Sequence, residues 1–292
     1  MSNDKEYRLL TEHVKLFACP LCATPLQIVN HTSLVCAKGH CYDIARQGYV
    51  NWLSYAPKTK YDQPLFESRR VLHQYGLFAS LTEAVREAMI RHLDFTTGKL
   101  IQVMDAGCGE GSHLLDLQRS MKEGTGDDLL GVGVDISKEG IRLAAKAADT
   151  AIWCAADLTR APFADGQFHC ILNILSPSSY AEFKRLLTDE GMVIKVVPES
   201  GYLQELREAL HGAPEAHSYS NHATLELFQS HFKLIDRQRV QDRLSLDRYL
   251  LEHLLQMTPL AWRASAEDVQ RVLQQEQMDI TVDLSVLIGK LK

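Results

Sequence analysis

Four side chains with metal-binding atoms crowd into one short stretch near the N-terminus: Cys19, Cys22, Cys36 and His40. Their spacing, C-x2-C-x13-C-x3-H, is that of a structural zinc site with three thiolates and one imidazole. A two-residue spacer lets both thiolates of a tight knuckle reach one ion. The stretch between the pairs reads as a hairpin: Leu26, Ile28 and Val29, a polar turn at Asn30-His31-Thr32, then Leu34 and Val35. That hairpin returns the second pair to the first. Cys41 is a rival fourth ligand, and His40 is preferred. Four protein ligands leave no open position, so the role is structural, and a head this small needs the metal to stay folded. C-x-x-C also occurs as a thioredoxin-type motif, but that should open a helix, which Pro25 and the hairpin pattern oppose.

The second constellation is a glycine-rich turn. Leu100 to Asp105 reads as a strand, Ala106-Gly107-Cys108-Gly109-Glu110-Gly111 as the turn, and Ser112 to about Met121 as an amphipathic helix. Glycines at alternate positions let the backbone bend sharply and approach a ligand without Cβ clashes, and the N–H groups at the helix start can receive a carboxylate. The next strand, Leu129 to Asp135, ends in an acid placed to hydrogen-bond ribose hydroxyls. Further strands are expected at Ala151–Ala155, ending near Asp157-Leu158, at Phe168–Asn173, and at Met192–Val197. Two tail strands, Phe232–Asp236 and Met278–Ile288, flank helical segments around Leu246–Met257 and Ala266–Gln275. The four histidines at His211, His217, His222 and His231 are irregularly spaced and read as surface helix and loop, not as a second metal site.

The succession D-x-G-x-G-x-G, then Asp135, then Asp157 resembles class I S-adenosylmethionine-dependent methyltransferases. The resemblance implies an α/β fold: a doubly wound seven-stranded sheet with an antiparallel last strand, carrying a small N-terminal zinc-ribbon-like domain. It places the amino-acid part of the cofactor on Asp105, Gly107, Gly109 and Gly111, the ribose on Asp135, and the adenine on Asp157 and Leu158. Head, loop and tail together, including Gly48-Tyr49-Val50-Asn51 and Gln256-Met257-Thr258-Pro259-Leu260-Ala261-Trp262-Arg263, resemble the RlmA-type 23S rRNA (guanine-N1)-methyltransferases. Tyr61-Asp62, Phe66-Glu67-Ser68-Arg69-Arg70 and Ser176 to Phe183 look closer to the Gram-positive branch, which is linked to resistance to tylosin-type macrolides. The implied reaction is methylation of N1 of a guanine in a 23S rRNA hairpin loop, with S-adenosylmethionine as cofactor, one structural zinc and a homodimeric assembly. In this fold class the segment after the fourth strand ends over the cofactor methyl. Asn173, Ser176 and Pro177 are therefore the candidates for holding the flipped base, with Glu110 or water as candidate proton acceptors.

Composition agrees with a soluble globular protein. The chain has 292 residues, 46% apolar and 23% charged, enough to bury a sizeable core and to exclude global disorder. No apolar run reaches the length of a membrane span, and Met1 to Lys15 has no signal-peptide core, so a cytoplasmic protein is expected. Net charge is −6, yet residues 1–60 carry seven Lys/Arg against four Asp/Glu. A basic head on an acidic body suits contact with an anion. Tyr42, Tyr49, Trp52, Tyr55 and Tyr61 interleave with Arg46, Lys58, Lys60, Arg69 and Arg70, as in surfaces that stack bases and hold phosphates. For Tyr49 and Trp52, packing of head onto body is the competing reading. The expected division is a zinc-binding RNA-recognition domain at 1–57, a helical linker at 58–97 and a methyltransferase domain at 98–292. A small-molecule or protein methyltransferase, or a non-catalytic rRNA-binding protein with a vestigial cofactor fold, are the rival functions.

Overall fold

A computed structural model of the chain describes residues 7–55, 61–96, 98–212 and 221–292. Lys58, Lys60 and His217 lie outside the described residues.

After a short helix, α1 (Arg8–Glu12), the head forms a three-stranded antiparallel meander: β1 (Leu26–Val29), β2 (Ser33–Cys36) and β3 (Cys41–Asp43). The hairpin appears where the sequence places it. Val29 pairs with Ser33, and Asn30 and His31 take left-handed backbone angles in the turn between them. The knuckle closes through Cys22 N–H and Ala23 N–H donating to the Cys19 carbonyl, at 3.3 and 2.7 Å.

The head then joins the body. Strand β4 (Val50–Asn51) adds to the large sheet, parallel to β7 (Ala151–Ala155), with Val50 opposite Cys154 and Asn51 opposite Ala155. Two helices follow, α2 (Gln63–Gln74) and α3 (Ala79–His92). Asp62 caps α2 by accepting from Leu65 N–H at 3.1 Å. The body alternates β5 (Ile101–Ala106), α4 (Ser112–Thr125), β6 (Leu129–Asp135), α5 (Lys138–Ala147), β7, β8 (Phe168–Ile174), α6 (Tyr180–Leu186) and β9 (Leu187–Pro198). It ends with α7 (Gln204–His211), α8 (His222–His231), β10 (Lys233–Asp247), α9 (Arg248–Met257), α10 (Ala266–Leu273) and β11 (Gln277–Lys290).

The sheet order is β10-β11-β9-β8-β5-β6-β7-β4. All neighbours are parallel except β11, which runs against both β9 and β10. This is the doubly wound class I methyltransferase sheet of seven strands, enlarged to eight by the head's β4. The added strand is the one departure from the expected topology. The chain leaves β5 toward β6 and β7, then returns to β8 on the other side of β5, so the carboxyl ends of β5 and β8 form a topological switch point. Strand β10 runs to Asp247, well past the expected Asp236, pairing with β11 along its whole length.

Trp153 on β7 supports the glycine turn from below. It is buried, its indole N–H donates to Ala148 O at 3.0 Å, and its six-membered ring fills the space that a Cβ on Gly111 or Gly133 would take. Gly111 also sits at φ +85 as the residue that opens α4. We expect Gly133→Ala to destabilise the fold by about 1–3 kcal/mol through overpacking against Trp153. Urea denaturation of wild type and variant measures it, and an unchanged midpoint would contradict this packing.

Candidate active site and zinc cluster

The four expected metal ligands converge. One donor atom from each of Cys19, Cys22, Cys36 and His40 lies within 4.8 Å of all the others. Cys22 Sγ and Cys36 Sγ are 3.7 Å apart, and His40 Nδ1 is 3.3 Å from Cys19 Sγ and 3.4 Å from Cys36 Sγ. A tetrahedron with Zn–S of about 2.3 Å and Zn–N of about 2.0–2.1 Å has edges of roughly 3.5–3.75 Å, so the donor set and its size both fit zinc. Cys41 is exposed and outside the cluster, so the geometry favours His40 as the fourth ligand. The Tyr42 hydroxyl lies 3.3 Å from Cys19 Sγ, placed to donate to the thiolate.

At the switch point the carboxyl edge of the sheet opens into a cavity of about 500 Å³. It is lined by Gly107, Cys108, Asp135, Asp157 and Leu158, by Ile174 to Ser179, and by Phe66, Arg69, Phe78 and His113. Gly107 has φ +86, and a Cβ there would strike Ser176, so the two walls meet at a point only glycine can occupy. Asp135 accepts from Gly109 N–H at 2.8 Å and from Ser137 N–H at 2.7 Å, which ties the end of β6 to the glycine turn. Asp157 accepts from Thr159 N–H and Thr159 Oγ1 at 2.8 and 2.7 Å. Gly109 and Gly111 shape the turn from behind and do not line the cavity. Asp105 is buried beneath it, with Oδ2 lacking any hydrogen-bond partner. Burial, followed by the neighbouring charges of Asp135 and Glu110, pushes its carboxyl up to about 8. His113 is held well below the usual imidazole range by burial, with His73 and Arg69 adding to it, so its ring is neutral.

The segment after β8 departs from expectation in one respect. Asn173 is fully buried and outside the lining, so it does not reach a base. Its Nδ2 contacts Ala106 O at 3.0 Å, Ser176 Oγ at 2.6 Å and Pro177 O at 2.9 Å. Its Oδ1 accepts from Ser178 Oγ at 2.7 Å and Lys195 Nζ at 2.6 Å. Asn173 therefore positions Ser176 and Pro177, which do line the cavity. Lys195, whose amine also donates to Ser176 O at 2.7 Å, is pushed down to about 8 by burial. Its role was open to detection as a lone cation inside the apolar run Met192–Val197. Leu175, at φ +50, faces the cavity in a backbone conformation that this bonding holds in place.

The structure decides between the readings left open for two groups of residues and departs from expectation for Arg70. Tyr49 and Trp52 are buried, and Trp52 packs against Phe17 and Tyr42 at 5.4 and 4.7 Å between ring centroids, so they join head to body and are not open to RNA. Arg70 is held by Glu110 Oε2 at 3.2 Å, Glu110 O at 3.1 Å and Leu143 O at 3.2 Å, away from any phosphate. Glu110 is buried and also accepts from Ser112 Oγ at 2.8 Å, so it serves the turn and not proton transfer. Tyr55 and Tyr61 are exposed, and Tyr61 lines the cavity mouth, edge-on to Trp262 at 5.8 Å.

Comparison with known proteins places this geometry. Residues 17–59 match the family model described as "RlmA, N-terminal", and residues 103–191 match "Methyltransferase domain". YxjB of Bacillus subtilis is 42% identical over 96% of this chain and 98% of its own length. The 23S rRNA (guanine(748)-N(1))-methyltransferase of Streptomyces fradiae is 32% identical over 88% of this chain and 90% of its own. The chain belongs to the RlmA-type 23S rRNA (guanine-N1)-methyltransferases. It is an S-adenosylmethionine-dependent rRNA methyltransferase with a structural zinc ribbon at its head. No described helix is long and apolar enough to cross a membrane.

Two outcomes follow for this methyltransferase. The purified protein should carry one zinc per chain, lost in Cys36→Ser and retained in Cys41→Ser, as elemental analysis would read; retention in the first variant would refute the ligand set. The raised carboxyl of Asp105 contributes stability that is complete below its unfolded value near 3.8 and is lost as pH rises toward about 8. Cofactor-free wild type should thus lose stability between pH 5 and 8, at up to about 1.4 kcal/mol per pH unit from this group. Asp105→Asn should flatten that slope in urea titrations, whereas an identical slope would reject the assignment. Lys195, lowered to about 8, acts in the opposite sense and only above that pH.

Proposed function

We propose that this cavity holds S-adenosylmethionine along the carboxyl ends of β5, β6 and β7, and receives the target guanine from a 23S rRNA hairpin loop against the segment Ser176–Ser179. The observation that carries the reading is the cavity itself, bounded by Gly107, Asp135, Asp157 and Leu158 on one side and Ser176 and Pro177 on the other. The residues fit the donor. Asp105 offers a buried, partnerless carboxyl oxygen beneath the glycine turn, and the turn has the positive-φ glycines that a close ligand requires. Gly107, Gly109 and Gly111 shape the cradle for the amino-acid end. Asp135 keeps lone pairs for the ribose beyond its two backbone bonds, and Asp157 with Leu158 faces the adenine.

Bound there, the cofactor supplies an electrophilic methyl on a sulfonium. The chain's own contribution is placement. Asn173 and Lys195 lock Ser176 and Pro177 so that an incoming purine meets a preformed edge. Holding both reactants at attack distance lowers the barrier by removing translational and rotational freedom. The apolar walls at Phe66, Phe78 and Ile174 keep water from the methyl. Exposed Lys38, Arg46 and Tyr55 on the head side suit phosphate and base contacts with the hairpin. Residues 1–57 thus serve RNA recognition, 58–97 connect the parts, and 98–292 perform transfer. The enzyme acts in the cytoplasm, and a homodimer, tested by sedimentation, would complete the RNA cleft.

Incubation with methyl-labelled cofactor and 23S rRNA fragments should label one hairpin-loop guanine at N1, located by mass mapping. Transfer to small acceptors with none to rRNA would overturn the reading. Asp135→Ala should weaken cofactor binding by about 1–3 kcal/mol, and wild-type affinity by calorimetry would reject the ribose role.

A further inference from the structure

Arg69 is a cation without a counter-ion in a place built for one. It stands on α2 and lines the cavity beside the glycine turn. A Cβ on Gly109 would lie 3.0 Å from its Nη1, and its guanidinium carbon stands 5.8 Å from the Phe66 ring centroid. Among the described residues it makes no hydrogen bond and no ion pair. Its chain neighbour is the contrast: Arg70 is fully engaged by Glu110 and Leu143. Burial raises the nearby carboxyls of Asp105 and Asp135, the Arg69 charge opposes that rise only in part, and neither comes within ion-pair distance of it. The Phe66 face and the glycine backbone hold the side chain in place and leave the cavity side of the guanidinium open.

A planar guanidinium with its donor edge free matches a carboxylate, which it can take with two parallel hydrogen bonds. We propose that Arg69 binds the α-carboxylate of the methionyl end of S-adenosylmethionine. This rests on the cavity assignment above and adds a residue to it. It also gives the glycine at 109 a second reason, since a side chain there would push the guanidinium aside.

The test compares two donors in two proteins by calorimetry, with no turnover required. Arg69→Ala should weaken S-adenosylmethionine binding roughly ten- to a hundred-fold, the loss expected of charge-assisted bonds. The same variant should bind decarboxylated S-adenosylmethionine as wild type does, because that ligand has nothing for Arg69 to hold. Arg69→Lys should fall between, keeping the charge but losing the fork. Equal losses for both donors would assign Arg69 to shaping the site and overturn the proposal. So would unchanged affinity for both donors with weakened binding of an rRNA fragment, which would move the guanidinium to the RNA. Failure of the cavity assignment looks different: wild type would bind neither donor, and the inference would fall with it.

Discussion

The side-chain amide of Asn173 touches five partners and joins three parts of the sheet edge on which the site depends. It bonds the last residue of β5 through Ala106 O, the turn after β8 through Ser176, Pro177 and Ser178, and β9 through Lys195. Each of those bonds is buried or half-buried, where an unmade hydrogen bond is costly. Loosening any one of them would expose the others to the same cost, so the segment has a single low-energy shape. That shape includes Leu175 at φ +50, which open chain would avoid. Ser176 Oγ, donating to Ala106 O at 2.7 Å, closes the ring. It also occupies the space opposite Gly107, so the two walls of the cavity, the ones proposed to meet a base and to cradle the cofactor, are fixed by one network.

Lys195 explains how such a network tolerates depth. A lone amide would leave Oδ1 of Asn173 and the carbonyl of Ser176 competing for few donors. The ammonium bonds both, at 2.6 and 2.7 Å. Burial lowers its proton affinity only to about 8, so the cation persists at neutral pH. The cost of holding a charge there is offset by the acceptors it satisfies.

What the sequence made legible was what is local. The zinc ligands, the glycine turn with its acids and the β1–β2 hairpin each depend on residue types within a few positions, and their geometry follows from spacing. The parts that escaped depend on partners distant in sequence. Asn173 reads as a polar residue at a strand end, and nothing nearby says that its amide turns inward toward Ala106 and Lys195. Strand β4 has two residues, too few for a periodic signal, and exists because β7 offers an open edge. Strand β10 was seen only to Asp236, because its outward face carries Arg237, Arg239 and Arg243, which resemble solvated loop until Asp283 and Asp279 on β11 pair with two of them. For Tyr49 and Trp52 the sequence left stacking and packing open, because burial against the body leaves no mark in local sequence.

The welding of head to body has a consequence for how RNA would be presented. Ala18 N–H donates to Pro162 O at 3.1 Å, and Ala164 N–H donates to Leu16 O at 2.9 Å, so the strand entering the zinc knuckle runs beside the loop that follows Asp157 and Leu158. Phe17 packs on Phe163 at 5.3 Å, and Trp52 stacks on Phe17 from the other side. Two backbone bonds, a parallel strand pair and a stacked aromatic column leave little freedom for rotation between the parts. A tethered head would trade rigidity for reach; this one cannot swing without breaking buried hydrogen bonds and separating rings. Any hairpin gripped by the ribbon is therefore held at a set distance from the cavity wall. If the head grips RNA as proposed, selection of one guanine among neighbours becomes a matter of fixed spacing between two sites, in addition to the fit of the base in the pocket.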